Sequence, residues 1–105
     1  MKNPPKHLSA EAKRWWRSLM DEYQIDDPGG LLLLQTGLEA FDRMRSAQDA
    51  IKQDGQTVVD RFGQPKGHPM LTVERDARAQ LCSCLKSLNL DLEPLRDAPG
   101  RPSGR

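Results

Sequence analysis

Few residues in this chain have the type and spacing to do chemistry, and most of those that do are cations. Lys2, Lys6, Lys13, Arg14 and Arg17 fall within the first twenty residues, against one acid, Glu11. Such a cluster can hold a polyanion such as duplex DNA through its phosphates. That makes binding weak, salt-sensitive and largely sequence-tolerant. The ordinary alternative is a solvated helix face. His7 and His68 lie in loop sequence near prolines and glycines, with no nucleophile or metal partner close in sequence. Asp26 and Asp27 form a carboxylate pair in a turn, where helix capping accounts for them. Gly29-Gly30 lacks the Lys-Ser/Thr of a phosphate-cradling loop. Cys82 and Cys84 on one helix would point about 200° apart, which suits neither a disulfide nor a shared metal. Cys84 falls on an apolar stripe and reads as a small core residue. The chain is therefore expected not to be an enzyme, and to need no cofactor or metal.

The elements that must position the cations follow from periodicity. A helix is predicted from Ser9, whose hydroxyl can accept a first-turn N–H, to about Tyr23. Leu8, Ala12, Trp15, Trp16, Leu19, Met20 and Tyr23 share its apolar face, and both tryptophans read as core anchors. Lys13, Arg14 and Arg17 lie on the other side. Asp27 is a candidate N-cap, with Pro28 at the first position of a long second helix reaching Asp54. Gly55 is its expected left-handed stop. The stripe of that helix is Leu33, Leu34, Gly37, Ala40, Phe41, Met44, Ala47 and Ile51. Gly37 and Ala40 allow a neighbouring backbone to come close. Leu31 and Leu38 fall outside the stripe, so they either pack under the first helix or meet another subunit, and the second is the favoured expectation. Residues 56–68 suit a short hairpin or ordered loop. A third helix then runs to about Leu88 on Met70, Val73, Ala77, Leu81, Cys84, Leu85 and Leu88, with Asn89 as its stop.

Composition bounds the class. The 105 residues carry a net charge of +1, 36% hydrophobic and 30% charged residues, and a mean hydropathy of −0.74. That is one small domain with a marginal core, which favours self-association. No apolar run approaches the roughly 18 residues of a membrane span. No secretory signal is evident, and the two cysteines fit a reducing cytoplasm. Asp21, Glu22, Asp26 and Asp27 follow the basic start, so the chain is dipolar there and suited to head-to-tail contacts.

The order of landmarks is itself informative. Pro5 to Ser9 opens a helix bearing Trp15-Trp16, and a long second helix ends at Gly55. A glycine-bearing loop leads through His68-Pro69 into a third helix closing on Leu88-Asn89-Leu90, with Pro94 beyond. Over about residues 4–95 this resembles the phage terminase small subunit, in the short family of tailed phages, prophages and gene transfer agents. Members often carry Leu-Gly-Leu where this chain has Asn89. The resemblance implies a helical protein that forms a ring or other homo-oligomer, in the cytoplasm of a bacterial host. It implies binding of the double-stranded DNA to be packaged, and recruitment and regulation of the large subunit that holds ATPase and nuclease. It implies no catalysis by the small subunit itself, and it carries over no DNA-contact residues.

The expected fold is all-α, a helical hairpin or bundle around a long central helix, with a short β-hairpin or loop between the second and third helices. Residues 1–8 form a basic flexible arm, 9–92 the oligomerisation and DNA-packaging domain, and 93–105 a disordered tail. The DNA-binding candidates are Lys2, Lys6, Lys13, Arg14 and Arg17. The oligomer interface is expected at Leu31, Leu34, Leu38 and Phe41. The large-subunit contact is expected at Leu92, Leu95 and Arg96, a short apolar anchor with a charged flank. The alternatives are a small helical DNA-binding regulator and an adaptor that never touches DNA. The Gln56–Gly67 connection is too long for the turn of a helix-turn-helix.

Overall fold

Helix α1 (Ala10–Tyr23) forms because Ser9 caps it, its hydroxyl accepting from the Ala12 N–H at 3.0 Å. It stops at Gln24, which adopts a left-handed conformation and bonds back to the Met20 carbonyl. The computed structural model describes residues 3–90. Helix α2 (Pro28–Asp54) is capped by Asp27, whose carboxylate accepts from the Gly30 N–H at 2.8 Å. It ends at Gly55, where φ is +85° but ψ is 161°, so the stop is an extended positive-φ glycine rather than a left-handed one. Strands β1 (Thr57–Val59) and β2 (Pro65–Gly67) pair antiparallel, with Val58 opposite Lys66. Helix α3 (Met70–Ser87) follows, and Asn89 is left-handed with φ 59°, as its place after the helix predicts. The fold is three helices with a short hairpin between the second and third.

Helices α2 and α3 run antiparallel along each other. Gly37 faces Cys84, Arg43 reaches Gln80 and Gln48 reaches Glu74, so one number rises as the other falls. A Cβ on Gly37 would come within 3.0 Å of the Cys84 Cβ. The absent side chain is what lets α3 lie so close. Helix α1 starts beside residues 39–45 of α2 and returns to its beginning, where Ile25 packs on Gly30. Leu8, Ala12, Trp16, Met20 and Ile25 fill the space against Leu34, Leu38, Phe41, Met44 and Ala77.

Burial corrects three sequence expectations. Trp16 is 3% exposed, but Trp15 is 49% exposed and is no core anchor. The residues are 100° apart on the helix, and α2 covers only the Ala12–Trp16–Met20 side. Leu38 is not surplus surface: it is 3% exposed within the chain's own core, as are Leu34 at 1% and Phe41 at 7%. Leu31 is half-buried against the same cluster. Helix α1 lies across that side of α2, so the stripe is wider than one partner helix requires. Leu8 belongs to the core rather than to a flexible arm.

The two tryptophans should separate cleanly in stability. Trp16→Ala should cost about 3–5 kcal/mol, the range for a buried aromatic. Trp15→Ala should cost under half as much by the same denaturant titration.

Candidate nucleic-acid interface

A polar seam fixes α1 on α2 and thereby decides which α1 residues face outward. In the seam Gln35, Glu39, Asp42 and Arg45 of α2 meet the start of α1. His7 Nε2 lies 2.7 Å from Glu39 Oε2, and Gln35 donates to the same oxygen at 3.0 Å. The Ser9 N–H and hydroxyl both donate to Asp42, at 2.9 and 2.5 Å. Arg45 donates through Nε and Nη2 to the two oxygens of Glu11, each at 3.2 Å. The Arg45 guanidinium also lies 4.9 Å from the centre of the Phe41 ring.

The hydrogen bonds of the seam bias the charge of its members. The Gln35 hydrogen bond, then His7, holds the Glu39 carboxyl below its ordinary value. Between α2 and α3, the Gln48 amide and then Arg78 do the same for Glu74. The Glu11 hydrogen bond raises Arg45 further into its charged range.

With that side occupied, the α1 cations are left outside. Arg14 and Arg17 are exposed, three residues apart on one outer face; Lys13, one turn before Arg17, is half-buried at its flank. Lys6 is exposed in the turn before α1. Among the described residues none of these four makes an ion pair. The structure thus groups Lys13, Arg14 and Arg17 on one helix, with Lys6 ahead of it. Lys2, Leu92, Leu95 and Arg96 lie outside the described residues.

The other candidates have structural work. His68 is 8% exposed and takes the Met70 N–H on Nδ1 at 3.0 Å, which caps α3 in place of a serine or aspartate. Its Nε2 therefore carries the proton and donates to Asp54 at 2.9 Å. The ring ties the end of α2 to the start of α3 and roots the hairpin between them. Cys84 is buried, as its stripe position predicts, and Cys82 is exposed. Among the described residues no group of three His, Cys, Asp or Glu is placed to hold a metal ion. No described helix is long and apolar enough to cross a membrane.

A family model for the small subunit of phage terminase matches residues 12–94. The chain belongs to that family. The match covers α1 from its first turn, all of α2, the hairpin and α3. Membership places the chain in phage DNA packaging, among subunits that are generally non-catalytic. DNA and the large terminase subunit are the partners of such subunits in general. No curated protein and no solved structure matches the chain.

Sequence reasoning missed the Asp42 clamp, whereas the hairpin was expected and only the exposure of its tip was not. Asp42 lies off the apolar stripe and reads as a solvated acid. Its partner is 33 residues away, and no local pattern pairs the two. The tip had a signal, since Arg61-Phe62-Gly63, closed by Asp60 and Gln64, is a three-residue loop with glycine at the left-handed place. Gly63 has φ +79°, and Asp60 accepts from the N–H groups of Phe62 and Gln64 at 2.8 and 2.9 Å.

The lowered carboxyls of Glu39 and Glu74 set a pH dependence. Their contribution is complete above the ordinary carboxylate value of 4.5 and is lost as pH falls through the lower folded value. The thermal midpoint should fall as pH drops below 4.5. The double variant Glu39→Gln, Glu74→Gln should show a flatter acid limb in the same scans.

Proposed function

We propose that this chain is the DNA-recognising component of a phage packaging motor, and that the outer face of α1 is its DNA contact. The observation that carries the reading is the unpaired set Lys13, Arg14 and Arg17 on one helix, preceded by exposed Lys6. Lys2 extends the same basic start in sequence. The α2 acids nearest to the start of α1, Glu39 and Asp42, are already occupied by His7 and Ser9, and Glu11, the acid within α1 itself, is taken by Arg45. They therefore leave the outer cations free to meet phosphate. A helix face that presents cations without base-reading amides binds the backbone, so affinity is salt-dependent and sequence-tolerant.

The chain works as a homo-oligomer in this account. Its core is small, and two large apolar side chains of α1 and α2, Trp15 and Leu32, remain at 49% and 66% exposure. Leu92, Leu95 and Arg96 are the proposed contact with the large subunit, an apolar anchor beside a charge on a segment of low apolar content. The small subunit delivers DNA and the large subunit performs the ATP-driven and nucleolytic steps.

A gel-shift series in salt tests the DNA contact. Each phosphate contact on duplex DNA contributes about −0.9 to the slope of log affinity against log salt. Replacing Lys13, Arg14 and Arg17 with alanine should therefore flatten that slope by up to about 2.7. An unchanged slope and affinity would place the DNA elsewhere on the chain.

A further inference from the structure

Two apolar features stay open to solvent among the described residues. The first is an open groove of about 280 Å³ where the three helices meet. Leu38 and Phe41 form its floor, with Trp15 and Leu19 on one wall and Leu81 and Leu85 on the other. The lining is almost wholly apolar. The second is the hairpin tip, where Phe62 is 75% and Val59 is 68% exposed.

The tip is built to hold its shape. Asp60 closes the loop from inside through the N–H groups of Phe62 and Gln64, and its backbone N–H donates to the Gln64 carbonyl at 2.9 Å. The root is fixed by the His68 N–H, which donates to the Gln56 carbonyl at 2.8 Å. A stiff loop that holds an aromatic ring in water loses little conformational entropy when that ring is buried. The tip does not fill the groove of its own chain. It leaves α2 at Asp54, thirteen residues beyond Phe41, a distance of about 20 Å along the helix.

The charges agree. Arg61 and Lys66 flank Phe62 on the hairpin and make no ion pair among the described residues. The tip's acid, Asp60, is turned inward. Glu22 continues the groove wall of Trp15 and Leu19, three residues beyond Leu19, and is likewise exposed and without an ion pair among the described residues.

We propose that the hairpin tip of one copy seats Phe62 in the three-helix groove of the next copy, with Arg61 and Lys66 beside Glu22. This rests on the homo-oligomer of the proposed function and names its contact. Knob and hole are different surfaces, so the contact is head-to-tail, and repetition closes a ring or extends a filament. One aromatic side chain buries roughly 150–250 Å². Each contact holds one pair, and closure of a ring strengthens the assembly further through multivalency.

Light scattering on the full chain at tens of micromolar tests the contact. Phe62→Ser breaks the knob and Trp15→Glu breaks the hole. Each variant should keep its helical circular dichroism and be monomeric. An equimolar mixture of the two should form a dimer, because each mixed pair retains one intact knob and one intact hole. In a second arm, Glu22→Arg and Arg61→Glu should each weaken self-association at least tenfold, and the double swap should recover most of it. If Phe62→Ser keeps the wild-type mass, this contact is wrong and the oligomer is built elsewhere. A mixture that stays monomeric also overturns it. If the wild type is itself a monomer, the contact and the homo-oligomer fall together, while the DNA contact on α1 stands.

Discussion

The close approach of α2 and α3 at Gly37 is the constraint on which the rest depends. A Cβ there would meet the Cys84 Cβ at 3.0 Å, so α3 would have to give by a few tenths of an ångström. With none, α3 settles low enough for Ala77 and Cys84 to be buried against α2. That packing sets the height of Leu81 and Leu85 and hence the wall of the groove. It also brings the two helix ends within reach of one imidazole. His68 then caps α3 and bonds Asp54 together, which orients the hairpin. A single missing side chain thus shapes both the groove and the projection at the far end.

Helix α1 is held by a different balance. Its apolar contact with α2 runs through Ala12, Trp16 and Met20, and its start is pinned by Glu39, Asp42 and Arg45. The Ser9 clamp matters because it fixes rotation as well as position. Ser9 must face Asp42 to donate twice, and with Trp16 inward the Arg14 and Arg17 side must face out. Nucleic-acid contact in this account is therefore a consequence of how α1 is bolted down, not of a separate binding module. The same rotation leaves Trp15 at the groove, between the basic face and the core.

Element type and order were legible because local rules agree with one another along this chain. Ser9, Asp27 and Pro28 mark helix starts by capping chemistry, and Gly55 and Asn89 mark stops by backbone freedom. The stripe of α3 was legible to the residue, since one partner helix covers it. What was not legible was the sharing of α2 between two neighbours. A helix packed on two sides buries more than one stripe, so Leu38 and Phe41 sit under α1 rather than waiting for another subunit. The same sharing separates Trp15 from Trp16, which periodicity alone places together. The basic residues were legible as a group, but their freedom from ion pairs was not. That depended on Asp42, Glu39 and Arg45, which lie thirty or more residues away and carry no local signature.

The central claim is that α1 presents its cations to DNA while the hairpin serves another purpose. Chemical footprinting of lysines with and without duplex DNA at low salt addresses it directly and does not depend on assembly size. The account predicts that Lys6 and Lys13 lose reactivity on adding DNA, and that Lys52, Lys66 and Lys86 do not change. Protection of Lys66 with Lys6 and Lys13 unchanged would contradict it, and would move the DNA contact to the hairpin.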